Sequence, residues 1–177
     1  MAISATIYKA DVNIADMDRH YYQNHDFTIA QHPSETEFRM MIRLCAFILN
    51  ADEQLSFTKG LSSDEEPDLW NKSLSDEIDL WIDLGQPEEK RIRKACGRAK
   101  QVIIYTYNKR SADIWWQQQA SKLMRFKNLQ VIHLDAEHIE DLVQKNMSLQ
   151  ANIQDSELYL SNDAHNINVI QTPWVLS

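Results

Sequence analysis

The stretch IDLWIDLG at residues 78–85, followed by QPEEKRIRKACGRA at 86–99 and KQVIIYTY at 100–107, decides the fold. In the first segment Ile78, Leu80, Ile82 and Leu84 fall on one side while Asp79, Trp81 and Asp83 fall on the other, which is the period of a strand. In the second, Ile92, Ala95, Cys96 and Ala99 share one face of a helix, and Pro87 suits its first turn. The third holds Val102-Ile103-Ile104-Tyr105, an apolar, largely β-branched run of the kind buried on both faces of a parallel or mixed sheet. The pattern then continues as helix over 111–126, strand over 129–134 and helix over 136–145, an alternation that suggests a βαβ unit.

Upstream, residues 6–14 alternate, with Tyr8, Ala10, Val12 and Ile14 on one side. A polar break at 15–18 and an aromatic, β-branched run over 20–30 complete an antiparallel hairpin. Pro33-Ser34 then opens a helix whose stripe is Phe38, Met41, Ile42, Cys45, Ile48 and Leu49, ending near Asn50, with Ser34 and Glu37 in capping-box spacing. Short strands are expected at 55–58, 68–71, 149–153, 158–160 and 167–170, the third and fourth joined by a turn at 154–157. Only 7 of 177 residues are Pro or Gly and 44% are hydrophobic, so the chain has the means for a core and no linker. The expectation is one domain over 1–177, an α/β or mixed α+β fold whose central mixed sheet is flanked by helices, with Ile82 and residues 102–104 in its core.

No run approaches the roughly 20 apolar residues of a membrane span, and the first residues lack the basic and apolar parts of a secretory signal. A cytoplasmic protein without a membrane partner is expected. Cys45 and Cys96 both lie in amphipathic helical segments, as buried free thiols do, which makes a sulfur metal site an improbable reading. The net charge of −8 conceals a division: residues 90–127 carry eleven bases and one acid, whereas 52–89 carry twelve acids and two bases. A basic face beside an acidic mouth would suit phosphates; helix surfaces that merely differ in sign explain the same counts.

Asp68 follows Pro67, and Asp83 ends the next strand. Carboxylates on adjacent strands can hold a hard divalent cation, because Mg2+ takes oxygen ligands and keeps several waters. The structural alternative is that Asp68 caps a turn and Asp83 caps the helix beyond Gly85. Glu35 and Glu37 both read as first-turn acids, favoured there by the helix dipole; Glu37 has a capping role, leaving Glu35 as the better functional candidate. Lys90, Arg91, Lys94 and Arg98 cover one side of the helix after Asp83 and would bind phosphate or lie solvated. Of Trp115 and Trp116, one should pack on the sheet and the other at its margin. The six histidines are scattered, and no Walker lysine loop, GxGxxG or GxSxG occurs.

Several segments together resemble the bacterial YaeQ family: His32-Pro33-Ser34-Glu35-Thr36, Glu66-Pro67-Asp68-Leu69-Trp70, the run from Ile78 to Gly85, Arg91-Ile92-Arg93-Lys94-Ala95-Cys96 and Ile114-Trp115-Trp116-Gln117-Gln118. The likeness extends to the opening Ala5-Thr6-Ile7-Tyr8-Lys9-Ala10 and to Leu149-Gln150-Ala151, nearly the whole chain. That family resembles PD-(D/E)XK restriction-endonuclease-like proteins. The resemblance implies a metal-dependent phosphodiesterase acting on nucleic acid, with Glu35, Asp68 and Asp83 converging as its acids. Asp68, Asp83 and the Leu84 carbonyl would hold Mg2+ or Mn2+ for attack by an activated water. The motif requires Asp83-x-Lys, but this chain has Asp83-Leu84-Gly85. Lys94 is the expected substitute, with Arg91 nearer the buried face and Gln86 as another stand-in, while Lys90, Arg91 and Arg98 would contact phosphates. The alternative is a nuclease-fold module that binds nucleic acid or protein without catalysis, as in a transcription-associated complex.

Overall fold

The computed structural model describes residues 4–59 and 65–174. Residues 60–64 of the acid-rich stretch 52–89 therefore lie outside the described residues. The fold is mixed α+β, and the chain forms two compact units, one of residues 1–49 and 136–170, the other of residues 50–135 and 171–177.

In the first unit, β1 (Thr6–Asp16) and β2 (Tyr21–Gln31) make the expected hairpin. The inner face of β1, from Tyr8 through Ala10, Val12 and Ile14, is buried. Helix α1 (Glu37–Leu49) is buried from Met40 onward. Its cap is Thr36, whose Oγ1 accepts from the Arg39 N–H at 3.0 Å, so the expected Ser34–Glu37 box is corrected. The Ser34 hydroxyl is instead 2.7 Å from His32 Nδ1, and Glu35 precedes the helix rather than sitting in its first turn.

The expected helix over 136–145 is also corrected. A single 3-10 turn, Ile139–Leu142, buries Ile139 and Leu142, and His138 before it is left-handed (φ 67°), which prevents an α-helix from starting there. The chain passes directly into β8 (Asn146–Gln154), which pairs in parallel with β1, and then into β9 (Glu157–Ser161). Asp155 and Ser156 both have positive φ, the conformation a two-residue hairpin turn needs. β10 (Asn166–Trp174) pairs with β9.

The second unit holds β3 (Leu55–Phe57), β4 (Leu69–Lys72), β5 (Ile78–Leu84), β6 (Ala99–Thr106) and β7 (Leu129–Asp135). β3, β4 and β5 pair antiparallel, and β5, β6 and β7 pair in parallel. Helices α2 (Glu89–Arg98) and α3 (Lys109–Leu123) make the two crossovers. The predicted core is found: Ile82, Val102 and Ile104 are fully buried, and Ile92, Ala95 and Trp115 pack with Val102 and Ile104. Trp115 is buried while Trp116 is partly buried beside it, the division expected of adjacent tryptophans. Neither cysteine is disulfide-bonded, and burial pushes the Cys45 thiol up to about 12 and Cys96 to about 11, so both stay protonated and unreactive.

Candidate functional site

The C-terminal end of β5 gathers most of the predicted residues of the second unit. Asp83 is 2% exposed. Its Oδ2 accepts from the Trp81 indole N–H at 3.0 Å and from Arg91 Nε at 2.9 Å, and its Oδ1 accepts from Arg91 Nη2 at 3.0 Å. The guanidinium thus lies across both carboxylate oxygens, the strong bidentate form of this pair. Arg91 Nη2 also donates to the Glu66 carbonyl at 2.9 Å. Ile92 and Ala95 are buried, so Arg91 flanks the apolar face of α2 and can reach the strand.

Asp68 is 6% exposed and continues the ladder just before β4, its N–H donating to the Ile82 carbonyl at 3.0 Å. Its Oδ2 accepts from the Leu84 N–H at 2.9 Å. This is the capping role weighed for Asp68, satisfied by a strand end rather than a turn. Gly85 follows with φ of +94° and donates its N–H to the Tyr105 carbonyl at 2.8 Å.

Lys94, the expected substitute for the motif lysine, turns elsewhere: its Nζ is 2.7 Å from Glu65 Oε1. Arg98 donates to the Glu65 carbonyl at 2.8 Å, and its guanidinium lies 5.2 Å from the centroid of the Trp81 ring. Gln86, the other stand-in, donates to Ser111 Oγ at 2.8 Å. A cleft of about 520 Å³ is lined by Glu65, Trp81, Glu88, Lys90, Arg91 and Lys94. Lys90 has no ion-pair partner among the described residues.

The first unit holds Glu35, 6% exposed, ahead of α1. Its Oε2 is 2.7 Å from Arg39 Nη1, and Arg43 reaches Oε1 at 2.8 Å and Oε2 at 3.2 Å. Arg43 also donates to the Ala30 carbonyl at 2.9 Å. The spacing of Glu35, Arg39 and Arg43 at intervals of four is the sequence signal for this network.

The structure therefore brings Asp83 together with Arg91, and Asp68 together with the Leu84 backbone, and gives Lys94 and Gln86 other partners. Arg91 is thus a structural residue as well as a cleft-lining one, because it covers the buried Asp83 carboxylate. Four contributors were missed: Arg39 and Arg43 beside Glu35, and Trp81 and Glu65 in the second unit. Trp81 was readable, because it shares a strand face with Asp83 two residues away; Glu65, a loop acid, carried no such signal.

As arranged, these donors do not fit a hard dication. Mg2+ needs oxygens free to approach to about 2.0–2.1 Å in near-octahedral geometry, whereas both Asp83 oxygens and one Asp68 oxygen accept N–H donors. Arg91 moreover supplies the positive charge that balances Asp83. Among the described residues no cluster of three metal-ligating acid, His or Cys side chains occurs.

Gly85→Lys, which recreates the motif lysine, should lower stability by about 1–2 kcal/mol, because a side chain is strained at this positive φ. Space is not the obstacle, since an added Cβ would meet only Tyr107 atoms at 3.9 Å. Urea unfolding measures the loss, and a fully stable Gly85→Lys protein would contradict the backbone argument.

This is a mixed α+β protein with a carboxylate–guanidinium pair at the end of a parallel strand and a cation-lined cleft beside it. A family profile described as "YaeQ protein" matches residues 1–171, and the chain belongs to that family. The YaeQ protein of Escherichia coli (strain K12) is 50% identical over 177 residues, covering 98% of each chain. That of Salmonella typhi is 48% identical with the same coverage. The crystal structure of the YaeQ protein from Xanthomonas axonopodis pv. citri superposes with a TM-score of 0.93 at 44% identity, covering 96% of this chain and 98% of that one. The YaeQ protein from Pseudomonas syringae gives a TM-score of 0.91 at 31% identity, covering 97% of this chain and 96% of that one.

Proposed function

We propose that this is a nuclease-like module that binds the phosphates of nucleic acid through α2, without a catalytic metal on Asp68 and Asp83. The supporting observation is the Arg91–Asp83 pair: the acid that would carry a cation is bonded through both oxygens to an arginine lining the cleft. Lys90 and Lys94 add positive charge to the same cleft, and Trp81 adds an aromatic surface. The PD-(D/E)XK-like core, the nucleic-acid partner and a cytoplasmic location all belong to this proposal. Among the described residues no helix is long and apolar enough to cross a membrane.

Metal-dependent cleavage of nucleic acid is the second reading, favoured by two buried carboxylates at the ends of neighbouring strands. It requires Arg91 to release Asp83 before Asp68, Asp83 and the Leu84 carbonyl meet Mg2+ or Mn2+. Fluorescence anisotropy with single- and double-stranded DNA and RNA in EDTA, and the same oligonucleotides with Mg2+ or Mn2+ on a denaturing gel, separate the readings. Binding without cleavage is expected. Cleavage that disappears in Asp83→Asn establishes the second reading, and no binding at low salt overturns both.

Binding should weaken steeply with salt, because each duplex phosphate neutralised contributes roughly 0.9 to the log–log slope. Lys90→Ala combined with Lys94→Ala should lower that slope by up to about 2 and reduce affinity alike for unrelated sequences. Folding should be kept, since exposed pairs such as Lys94–Glu65 contribute little to stability. An unchanged slope in the folded double variant means α2 is not the contact surface.

A further inference from the structure

Three bases of α2 converge on one short acidic segment rather than on solvent. Lys94 holds the Glu65 carboxylate at 2.7 Å, Arg98 holds the Glu65 carbonyl at 2.8 Å, and Arg91 holds the Glu66 carbonyl at 2.9 Å. Arg98 also lies 3.9 Å from the other Glu65 carboxylate oxygen. Oxygens at hydrogen-bond distance from Lys and Arg are what a phosphate would offer these same donors. Lys94 and Arg98 hold the Glu65 carboxyl below the usual carboxylate range, so it remains an anion at neutral pH.

Its position is inexpensive to vacate. The Glu65 side chain is 72% exposed and that of Lys94 48%, and a pair this open contributes little to stability. Arg91 differs, because its buried Asp83 contact holds it in place whatever occupies the cleft. The cleft thus combines the fixed Arg91 guanidinium with Lys94, whose carboxylate partner can be exchanged, while Arg98 stays on the Glu65 carbonyl.

We propose that the Glu65 carboxylate is an internal stand-in for a phosphate, which an incoming polyanion displaces from Lys94 when it binds. This rests on the phosphate-binding reading of α2 and adds its regulation: the chain sets its own affinity through an acid competing for the site. Glu88 supplies the control. It lines the same cleft and carries the same charge, but has no ion pair with these bases among the described residues.

The test compares wild type, Glu65→Gln and Glu88→Gln for binding to a fluorescent DNA oligonucleotide and to inorganic tripolyphosphate at low salt. Glu65→Gln should bind both about three- to tenfold more tightly, and Glu88→Gln by less than about twofold. Equal tightening in the two variants would mean a general field effect and overturn the stand-in role, as would unchanged affinity in Glu65→Gln. If no variant binds the oligonucleotide but Glu65→Gln gains tripolyphosphate, the nucleic-acid reading fails and the stand-in holds. If Glu65→Gln binds neither, α2 is no anion site and both fail.

Discussion

Arg91→Ala should lower the stability of the protein by about 3 kcal/mol, toward the lower end for a buried pair losing one partner. The Asp83 side chain is 3% exposed and that of Arg91 27%. Truncation leaves the carboxylate in a nearly closed site where, among the described residues, the Trp81 indole N–H is the donor that remains, while water enters partly through the space the arginine leaves. Arg91→Lys should recover less than half, because an ammonium cannot span both oxygens. Asp83→Asn placed on Arg91→Ala should restore part of the loss, since an amide has no charge to strand. Urea unfolding of the two single variants and the double variant gives the coupling, expected to exceed about 1 kcal/mol. Additive losses would show that Arg91 and Asp83 do not act as a pair.

A loss of similar or larger size, about 3–5 kcal/mol, is expected for Glu35→Ala. Here one carboxylate faces two arginines whose side chains are 12% and 7% exposed, so its removal takes the balancing charge from both, although Arg43 keeps the Ala30 carbonyl. Glu35→Gln keeps the shape and some hydrogen bonds and should lose about half as much. Replacing Arg43 by Met in the Glu35→Ala background should recover part of the stability, because one of the two uncompensated charges then disappears. Thermal and urea unfolding measure these effects. If Glu35→Ala unfolds like wild type yet alters nucleic-acid handling, the functional role implied for Glu35 by the family resemblance outweighs the structural one drawn from its contacts.

Much of the fold could be read from periodicity because burial in these elements is nearly complete. β5 and β6 announced themselves through alternation and an unbroken apolar run, and α2 through Ile92 and Ala95. The segment at 136–145 misled, since Ile139 and Leu142 have helical spacing but serve only one turn. The cap at Thr36 in place of Ser34 is the same kind of error, a polar residue two positions away with equal propensity. In the site, Asp83 and the basic group on α2 were found, but their pairing was not. Lys94 and Arg91 are one helical turn apart, and what separates them is Glu65, a loop residue that follows no repeating pattern. The order of strands was likewise hidden, because nothing near Lys9 in the sequence points to Asn146.

That last pairing bears on how the chain is made. β1 meets β8 in parallel with Lys9 opposite Asn146, so more than a hundred residues must leave the ribosome before the hairpin's inner strand acquires its neighbour. Residues 50–135, by contrast, form a continuous stretch that carries β3 to β7 and can begin to collapse while synthesis continues. During that interval the β1–β2 hairpin has an unpaired edge on β1, a state prone to wrong strand partners. The two-residue turn at Asp155 and Ser156 then lets β9 pair with β8 as soon as it emerges. Birth order therefore leaves the edge of this hairpin waiting for a strand made long after it, which makes it a part of this chain dependent on protection during translation.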